Sequence, residues 1–213
     1  MNKKCRLLSI FAISVMFIIS QSEAKDSDFV KMTLDSVYQV EIPKSWKVHN
    51  ETRNKALQSK TDSTLNSINI KQNDGQNRIL LATNAYVGEK SVASARLSVR
   101  PSTKAFSQDV LKELTQKDIL EIAPGMMAET ERSLKAVSKD ATVKFIKIDK
   151  QTINGKICIS TESEQNVNNN IMRQIIDIYP LGDRTLKMAV SYSPSEKKYK
   201  TIVNKIRTSL IIK

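Results

Sequence analysis

The strongest constraint on the fold lies in the stretch from Thr142 to Lys213, which is predicted to form four strands followed by a helix. Its clearest signal is Asn154-Gly155, a pair that stands between two apolar runs. Asn and Gly both tolerate the positive φ angles of a type I′ turn, so the pair predicts a tight β-hairpin. A polar loop at 165–170 and a turn at 180–183 separate the remaining strands. The stretch is therefore expected to be an antiparallel meander.

The end of this stretch changes from strand periodicity to helix periodicity. Apolar residues alternate with more polar ones over 185–192, which predicts a strand with one buried face. Ser193, Pro194 and Glu196 then match an N-cap, a first helical position and a capping box. The apolar stripe that follows has to be buried, most simply on the preceding strands, and consists of Tyr199, Ile202, Val203, Ile206 and Leu210.

The first 24 residues are predicted to be a cleavable signal peptide. Three basic residues among the first six precede an apolar core over 7–20 and a small-residue cleavage site at 22–24. The apolar core is shorter than the roughly 20 residues of a spanning helix. Cleavage is therefore the favoured interpretation, and an uncleaved inner-membrane anchor is the alternative. Cys5 precedes the apolar core, whereas a lipoprotein carries its cysteine after it. A periplasmic protein that is not a lipoprotein is expected, with secretion as the alternative.

The chain that remains after cleavage is strongly basic. Losing residues 1–24 removes three basic residues and one acidic residue, which leaves a net charge of about +10 over about 189 residues. This length suffices for one full core, so we expect a single domain at 37–213 after a flexible lead-in at 25–36. Cys158 is then the remaining cysteine, which excludes an intramolecular disulfide.

Strands and helices are also predicted upstream of Thr142. Trp46 is expected to cover one end of the core. Helix is predicted over part of 50–73 and from Ser107 to about Val137, with a break or kink at Pro124-Gly125. The predicted strands lie at 37–42, ending at Pro43, at 79–86, and at 95–100, ending at Pro101, with a turn at Gly88 between the last two.

Three short segments resemble a known family. They are Glu41-Ile42-Pro43-Lys44-Ser45-Trp46, Ile153-Asn154-Gly155-Lys156, and Ser193-Pro194-Ser195-Glu196 followed by Tyr199 and Ile206. Together with the order of elements from Val37 to Lys213, they resemble the PsbP-like α/β/α sandwich superfamily, which includes DcrB-like small bacterial envelope proteins. The resemblance implies an α+β fold with an antiparallel β-sheet flanked by helices. It also implies a non-enzymatic domain that binds another macromolecule, and it transfers no catalytic motif.

His49 and Cys158 are the first candidates for chemistry. His49 is the single histidine, and a Ser-His-Asp or Cys-His site would have to use it. Because no nucleophile motif accompanies it, we interpret it as a surface residue at a strand exit. Cys158 lies between Ile157 and Ile159 and is interpreted as a small buried side chain under a helix. The alternatives are a reactive thiol near Lys156 and an intermolecular disulfide.

The remaining motifs are incomplete. Ser195-Glu196-Lys197-Lys198 matches Ser-x-x-Lys, but the companion motifs of penicillin-binding enzymes are absent and the residues suit a helix start. The glycines stand alone and form no phosphate-cradling loop. Too few histidines and cysteines remain for zinc, no spaced loop indicates calcium, and carboxylates such as Asp177 and Asp183 form no defined pair. We therefore predict no catalytic, cofactor-binding or metal-binding residue, and we assign no binding residue.

Positive charge is the bulk property that points to function. It favours acidic partners such as lipid head groups, lipopolysaccharide or an acidic protein surface. Nucleic acid is not expected, because the chain is exported and aromatic residues make up only 5% of it. The leading hypothesis is an accessory protein of the bacterial cell envelope that binds a protein partner. The alternatives are an electrostatic binder of anionic lipid or polymer, a merely solvated basic surface, and an unrecognised hydrolase using His49; the partner and oligomeric state stay open.

Overall fold

Antiparallel strands dominate the structure, a computed structural model that describes residues 28–57, 59 and 77–213. The predicted signal peptide, residues 1–24, lies outside the described residues. The helices are α1 (Gln108–Glu113), α2 (Gln116–Val137) and α3 (Lys198–Thr208), and residues 51–57 are also helical. The strands are β1 (Phe29–Leu34), β2 (Tyr38–Pro43), β3 (Lys47–Val48), β4 (Arg78–Val87), β5 (Lys90–Phe106), β6 (Thr142–Ile153), β7 (Lys156–Val167), β8 (Asn170–Pro180), β9 (Gly182–Tyr192) and β10 (Ile211–Ile212).

A three-stranded sheet has the order β1-β2-β10. β1 pairs with β2 along its whole length, through a turn in which Asp35 and Ser36 have φ angles of 48° and 61°. The expected flexible lead-in over 25–36 is therefore wrong for 29–34. Only Phe29 of this strand is buried, and the other positions are exposed or half-buried. Val30, Met32 and Leu34 alternate with Lys31 and Thr33, so the sequence carries a strand pattern here that the prediction missed, and Met32 and Leu34 are half-buried in the structure.

A seven-stranded sheet has the order β3-β4-β5-β9-β8-β7-β6. β6 to β9 are neighbours in chain order, which confirms the predicted meander. Asn154 and Gly155 form the predicted hairpin turn with φ angles of 48° and 75°. The expected loop at 165–170 is shorter than predicted, because Asn168 and Asn169 make a two-residue turn with φ angles of 52° and 60°.

The strand β5 extends beyond the boundary predicted from Pro101. It continues to Phe106, and its register against β9 shifts between Pro101 and Phe106. The last pair between β5 and β4 joins Val99 to Arg78. Proline therefore falls where one neighbouring strand has ended and the ladder is irregular, a position in which its missing amide is tolerated. The expectation that the strand ends at Pro101 is wrong for this reason.

The first two helices meet at Thr115 rather than at Pro124-Gly125. The Thr115 amide donates to Asp118 Oδ2 at 2.6 Å, and the Asp118 amide donates to Thr115 Oγ1 at 3.2 Å. This capping box starts α2 immediately after α1. α2 then continues through Pro124 to Val137. Of the predicted break or kink at Pro124-Gly125, the break is wrong, because the helix continues through Pro124 and the boundary between the two helices lies at the Thr115 capping box.

The helix α3 begins four residues later than predicted. The Ser193 amide donates to the carbonyl oxygen of Val92 at 2.7 Å, and the Glu196 amide donates to that of Ser193 at 2.9 Å. Ser193 therefore ends the sheet and opens a turn. Lys197 occupies the N-cap position without a side-chain cap, so the predicted capping box is wrong. The predicted apolar stripe is confirmed, since α3 buries Tyr199, Val203 and Ile206 and the chain just after it buries Leu210.

The layers place helices on both faces of the seven-stranded sheet. α3 contacts β9, β5 and β2 and lies between the two sheets, over the larger core. Trp46 joins this core and meets Tyr199 edge-on, with ring centroids 6.3 Å apart. α1 and α2 pack on the opposite face through a second core with Leu111, Ile119, Ala123, Ile148 and Ile159. The predicted α+β fold, with an antiparallel sheet flanked by helices, is confirmed.

Candidate functional site

A buried polar cluster connects α3 with β6, β7 and β8. Arg207 Nε contacts Asp177 Oδ2, and Arg207 Nη2 donates to Asp177 Oδ1 at 2.7 Å. Arg207 Nη2 also donates to Gln151 Oε1 at 2.5 Å and to Ser160 Oγ at 3.0 Å. Asp177 is fully buried, and the Arg207 side chain is 12% exposed. These four side chains form one hydrogen-bonded cluster beneath α3.

Electrostatics favour the charged form of Arg207 and the protonated forms of its neighbours Cys158 and Tyr179. Burial disfavours the charged form of Arg207, but Asp177 outweighs this effect and raises the pKa of the guanidinium. Burial, and then the charge of Asp177, raises the pKa of the Cys158 thiol to about 12. The same two causes raise the pKa of the Tyr179 hydroxyl. At neutral pH the thiol and the phenol are therefore neutral, and the expected buried state of Cys158 is confirmed.

The geometry of this cluster suits a clamp between helix and sheet. Asp177, Cys158 and Tyr179 are each at most 1% exposed, so a substrate would have to displace α3 to reach them. The sequence pattern had left Arg207 outside the apolar stripe and Asp177 without a partner. A signal was available, because a carboxylate inside the apolar run from Ile175 to Ile178 indicates a buried cationic partner.

An open cleft of about 470 Å³ lies beside the C-terminal end of α3. Asn154 of the β6–β7 turn donates from Nδ2 to the carbonyl oxygens of Thr208 at 2.7 Å and Leu210 at 2.8 Å. The Glu41 amide on β2 donates to Ser209 Oγ at 2.8 Å. These bonds hold two strands against the helix end and shape the cleft. Its lining residues are Glu41, Asn154, Lys205, Thr208, Ser209 and Ile211.

His49 is buried, which makes its interpretation as a surface residue wrong. Its amide donates to the carbonyl oxygen of Ala82 at 2.9 Å, which continues the pairing of β3 with β4 and holds the residue on the sheet. The residue is 9% exposed, and both ring nitrogens lack a hydrogen-bond partner within the described part of the chain. Burial, and then the charges of Arg53, Arg96 and Lys47, lower the pKa of the ring. A neutral imidazole results.

His49 and Cys158 do not come together. In the larger sheet β3 and β7 are five strand positions apart, which corresponds to about 24 Å at the usual strand spacing. Cys158 belongs to the core beneath α3, as does Leu81. Ala82 follows Leu81 in β4 and therefore faces the opposite side of the sheet. His49 lies opposite Ala82 on the neighbouring strand and so shares this opposite side. A Cys-His pair is not formed.

The other sequence candidates have local structural partners. Ser195 is exposed, and its hydroxyl lies 2.8 Å from that of Ser193. The Lys198 ammonium lies 5.0 Å from the centre of the Tyr199 ring. Asp183 accepts two hydrogen bonds from the guanidinium of the adjacent Arg184. The Ser-x-x-Lys match therefore spans the turn that precedes α3, and only Lys198 belongs to the helix, so its interpretation as a helix start is wrong for 195–197.

Within residues 28–57, 59 and 77–213, no group of three or more His, Cys, Asp or Glu side chains is placed to hold a metal ion. No helix in this part of the chain has both the length and the apolar character required to cross a bilayer.

Comparison with known proteins gives a likeness in fold. No protein-family model matches the chain, and no curated protein matches its sequence. The solution structure of cyanobacterial PsbP (CyanoP) from Synechocystis sp. PCC 6803 aligns with 90% of this chain and 96% of its own, at 8% sequence identity and a TM-score of 0.56. The fold is PsbP-like.

Two other solved structures are similar to this PsbP-like chain at lower scores. The type VI secretion immunity protein TplEi from Pseudomonas aeruginosa has a TM-score of 0.43 at 8% identity, over 91% of this chain and 99% of its own. LpqN from Mycobacterium tuberculosis, involved in cell envelope biogenesis, has a TM-score of 0.39 at 11% identity, over 82% of each chain. A PsbP-like fold does not fix an activity, so function has to be argued from this chain's own surfaces.

Proposed function

We propose that this protein is an exported, non-catalytic accessory protein of the bacterial cell envelope that acts by binding another protein. The observation that carries the proposal is the open cleft beside α3. It combines the charged side chains of Glu41 and Lys205 with Ile211, which is 41% exposed. Protein interfaces use this combination of an apolar centre and polar surroundings.

The position of the cleft also suits an extended partner segment. Within the described part of the chain, β10 is an edge strand of the three-stranded sheet, and it contributes Ile211 to the cleft. An edge strand presents backbone donors and acceptors to which a further strand can be added. The Asn154 and Ser209 contacts hold the walls in place without the partner, which reduces the ordering that binding requires.

The separation of the candidate catalytic groups supports a binding role over hydrolysis. Nucleophilic catalysis needs a nucleophile and a base within hydrogen-bond reach of each other. His49 and Cys158 lie on opposite faces of the sheet, and the pKa of Cys158 is about 12, so its thiolate is scarce at neutral pH. Hydrolysis by these two residues would require them to move together, whereas binding at the cleft requires no rearrangement of either.

The test is recovery of a stoichiometric envelope partner that depends on the cleft. Ile211→Arg places a charge in the apolar part of the cleft, and Ile146→Arg on β6 is the matched control, because Ile146 is also a strand isoleucine and is 43% exposed. The partner should be recovered from envelope extracts with the original protein and with Ile146→Arg, and lost with Ile211→Arg. Repeated recovery of no partner, or equal recovery with both variants, would overturn the proposal.

A second candidate function is electrostatic association with anionic envelope lipid or polymer. It is favoured by the net charge of about +10 after removal of residues 1–24, together with the exposed side chains of Arg96, Arg100 and Lys187 on one sheet face. Such association weakens as salt screens the charges. Binding to vesicles containing anionic lipid should therefore fall steeply between low and high ionic strength, and an affinity independent of salt would remove this candidate.

A further inference from the structure

Three basic side chains converge on the face of the seven-stranded sheet that is turned away from α3. Ser98 on β5 is the cross-strand partner of Lys187 on β9. Arg96 and Arg100 lie two residues to either side of Ser98 on the same face, which makes both of them diagonal neighbours of Lys187. Diagonal neighbours are about 7 Å apart, within reach of long side chains. Arg96, Arg100 and Lys187, here called the basic triad, are all exposed.

The acidic sheet position nearest the basic triad is Asp183 on β9, a diagonal neighbour of Arg100 whose carboxylate is paired with the adjacent Arg184. The ion pairs within the described ranges do not include any of the triad's three side chains. Glu129 on α2 is the acidic side chain whose charge acts on Lys187. Apart from Asp183, the other positions that share this face on β5, β8 and β9 are uncharged, and they include Ser94, Ser98, Gln174, Ile176, Ile178, Thr185, Ala189 and Ser191.

His49 borders the basic triad. Ala82 is the cross-strand partner of Arg96, and the amide of His49 donates to the carbonyl oxygen of Ala82. The histidine and Arg96 therefore flank the same position of β4. The ring of His49 is buried, and its two nitrogens have no partner within the described residues. A buried polar ring without a partner is unfavourable, and a ligand that bonds to it removes that penalty.

Burial of its ammonium group, and then repulsion within the basic triad, reduce the proton affinity of Lys187. The pKa of Lys187 is lowered, first by burial and then by the charges of Arg100 and Arg96, and Glu129 offsets this only in part. The charge of Arg96 also contributes to the lowered pKa of His49. An anion placed among these groups relieves the repulsion and restores their affinity for protons.

We propose that the basic triad and His49 form a binding site for a dianionic phosphoryl group, as found in inorganic phosphate and in phosphate monoesters. The planar guanidinium groups of Arg96 and Arg100 can each donate two hydrogen bonds to phosphate oxygens. The Lys187 ammonium adds a third positive charge, and a ring nitrogen of His49, which is buried in the free protein, can complete the set when its side chain turns towards the ligand. Three cations match a phosphoryl dianion better than they match a single carboxylate.

This site is separate from the cleft that carries the proposed function. The cleft lies beside α3, whereas the basic triad lies on the opposite face of the larger sheet. The variant Ile211→Arg should therefore leave phosphate binding unchanged. Failure of one proposal does not imply failure of the other.

The single histidine makes the test direct, because its imidazole signal needs no assignment in proton NMR spectra of protein free of added histidines. Inorganic phosphate is titrated at constant pH, against sodium chloride of equal ionic strength. Phosphate should shift the His49 signal saturably and raise the pKa of the ring, and chloride should not. A parallel arm compares vesicles that contain phosphatidic acid, a monoester, with vesicles that contain equal phosphatidylglycerol, a diester.

Variants identify the groups responsible. Arg96→Gln and Lys187→Gln should each weaken phosphate binding about tenfold or more, because each removes charged hydrogen bonds to the ligand. Arg96→Lys keeps the positive charge but loses the two-point contact of the guanidinium. Its affinity for phosphate should therefore lie between that of Arg96→Gln and that of the original protein. Lys144→Gln is the control, since it removes one exposed charge from β6, at the far edge of the sheet. Unchanged thermal midpoints verify the fold of each variant.

The arms of the experiment separate the possible sources of the phosphoryl group. Binding of inorganic phosphate that depends on the basic triad supports the site with a soluble ligand. The other supporting outcome is a preference for vesicles with phosphatidic acid and no binding of free phosphate. If this preference depends on the basic triad in the same way, it supports the site with a lipid head group as its ligand. The proposal is overturned if neither probe binds, or if Lys144→Gln weakens binding as much as Arg96→Gln.

Discussion

Arg207 of α3 and Asp177 of β8 form a two-point ion pair beneath the helix, with Nη2 donating to Oδ1 at 2.7 Å and Nε contacting Oδ2. Gln151 and Ser160 accept further hydrogen bonds from the same guanidinium. Two parallel bonds fix the orientation of the arginine plane as well as its position. The pair therefore sets how α3 is seated on the sheet, in addition to the apolar stripe that buries it.

Removing either member of this pair should destabilise the protein strongly. Asp177→Ala leaves the Arg207 guanidinium without its counter-charge in a site that is only 12% exposed. Breaking a buried pair in this way costs about 3–5 kcal/mol. The free energy of unfolding in urea should fall by that amount, while the double variant Asp177→Leu with Arg207→Met should lose less than either single change. A loss under about 1 kcal/mol for Asp177→Ala would contradict this role.

Asn154 should stabilise the protein through the end of α3 as well as through its own turn. Its side chain donates to the carbonyl oxygens of Thr208 and Leu210. Two hydrogen bonds of about 0.5–1.5 kcal/mol each are lost in Asn154→Gly, which keeps the freedom to adopt a φ of 48°. Asn154→Ala should lose about 1 kcal/mol more, because alanine is strained in the left-handed region. Equal unfolding free energies for the two variants would remove the strain component.

The sequence predicted the features that depend on neighbouring residues. The alternation over 185–192 and the turn at Asn154-Gly155 are local, and the structure confirms both. The apolar stripe of α3 is local too. Each of these signals lies within a segment of about ten residues, so no knowledge of the tertiary structure is needed to interpret it.

Several of the missed features depend on distant partners, although the capping box at Thr115 and the turn at Asn168-Asn169 are local. Ser193 is not an N-cap because its amide bonds to Val92, about a hundred residues earlier. Asp177 and Arg207 come from different elements, and their pairing follows from the register of the sheet beneath α3. The basic triad needs the pairing of β5 with β9, which the sequence pattern does not provide. His49 is buried because β3 continues along β4, whereas its polar sequence neighbours indicate a loop.

Cys158 should be unreactive in the folded protein. Its residue is fully buried and the pKa of its thiol is about 12, against an ordinary value of 9.0. At pH 8 only about one thiol in 10⁴ is then ionised. In protein lacking residues 1–24 it is the single thiol, so labelling with a disulfide reagent should be at least a hundredfold slower in buffer than in denaturant. Stoichiometric labelling of the native protein would contradict the buried assignment.

The same thiol should make stability fall at high pH. The pKa is raised in the folded state, so the folded protein favours the protonated form and this contribution is fully present below pH 9. It is lost as the pH rises from about 9 towards 12. Cys158→Ala should therefore show a shallower decline in the free energy of unfolding over this range. Parallel profiles for the two proteins would show that the thiol does not titrate differently on folding.

His49 should make stability fall on mild acidification. Its pKa is lowered in the folded state, first by burial and then by Arg53, Arg96 and Lys47, so unfolding takes up a proton below pH 6.5. The contribution is present above this value and is lost as the pH falls through the lower folded pKa, with a slope of up to about 1.4 kcal/mol per pH unit. Urea unfolding between pH 8 and 5 in chloride buffer measures this slope. His49→Gln retains every carboxylate and should lose the part of this slope that comes from the histidine. Equal slopes in the two proteins, or greater stability of the original protein at pH 5 than at pH 8, would contradict the prediction.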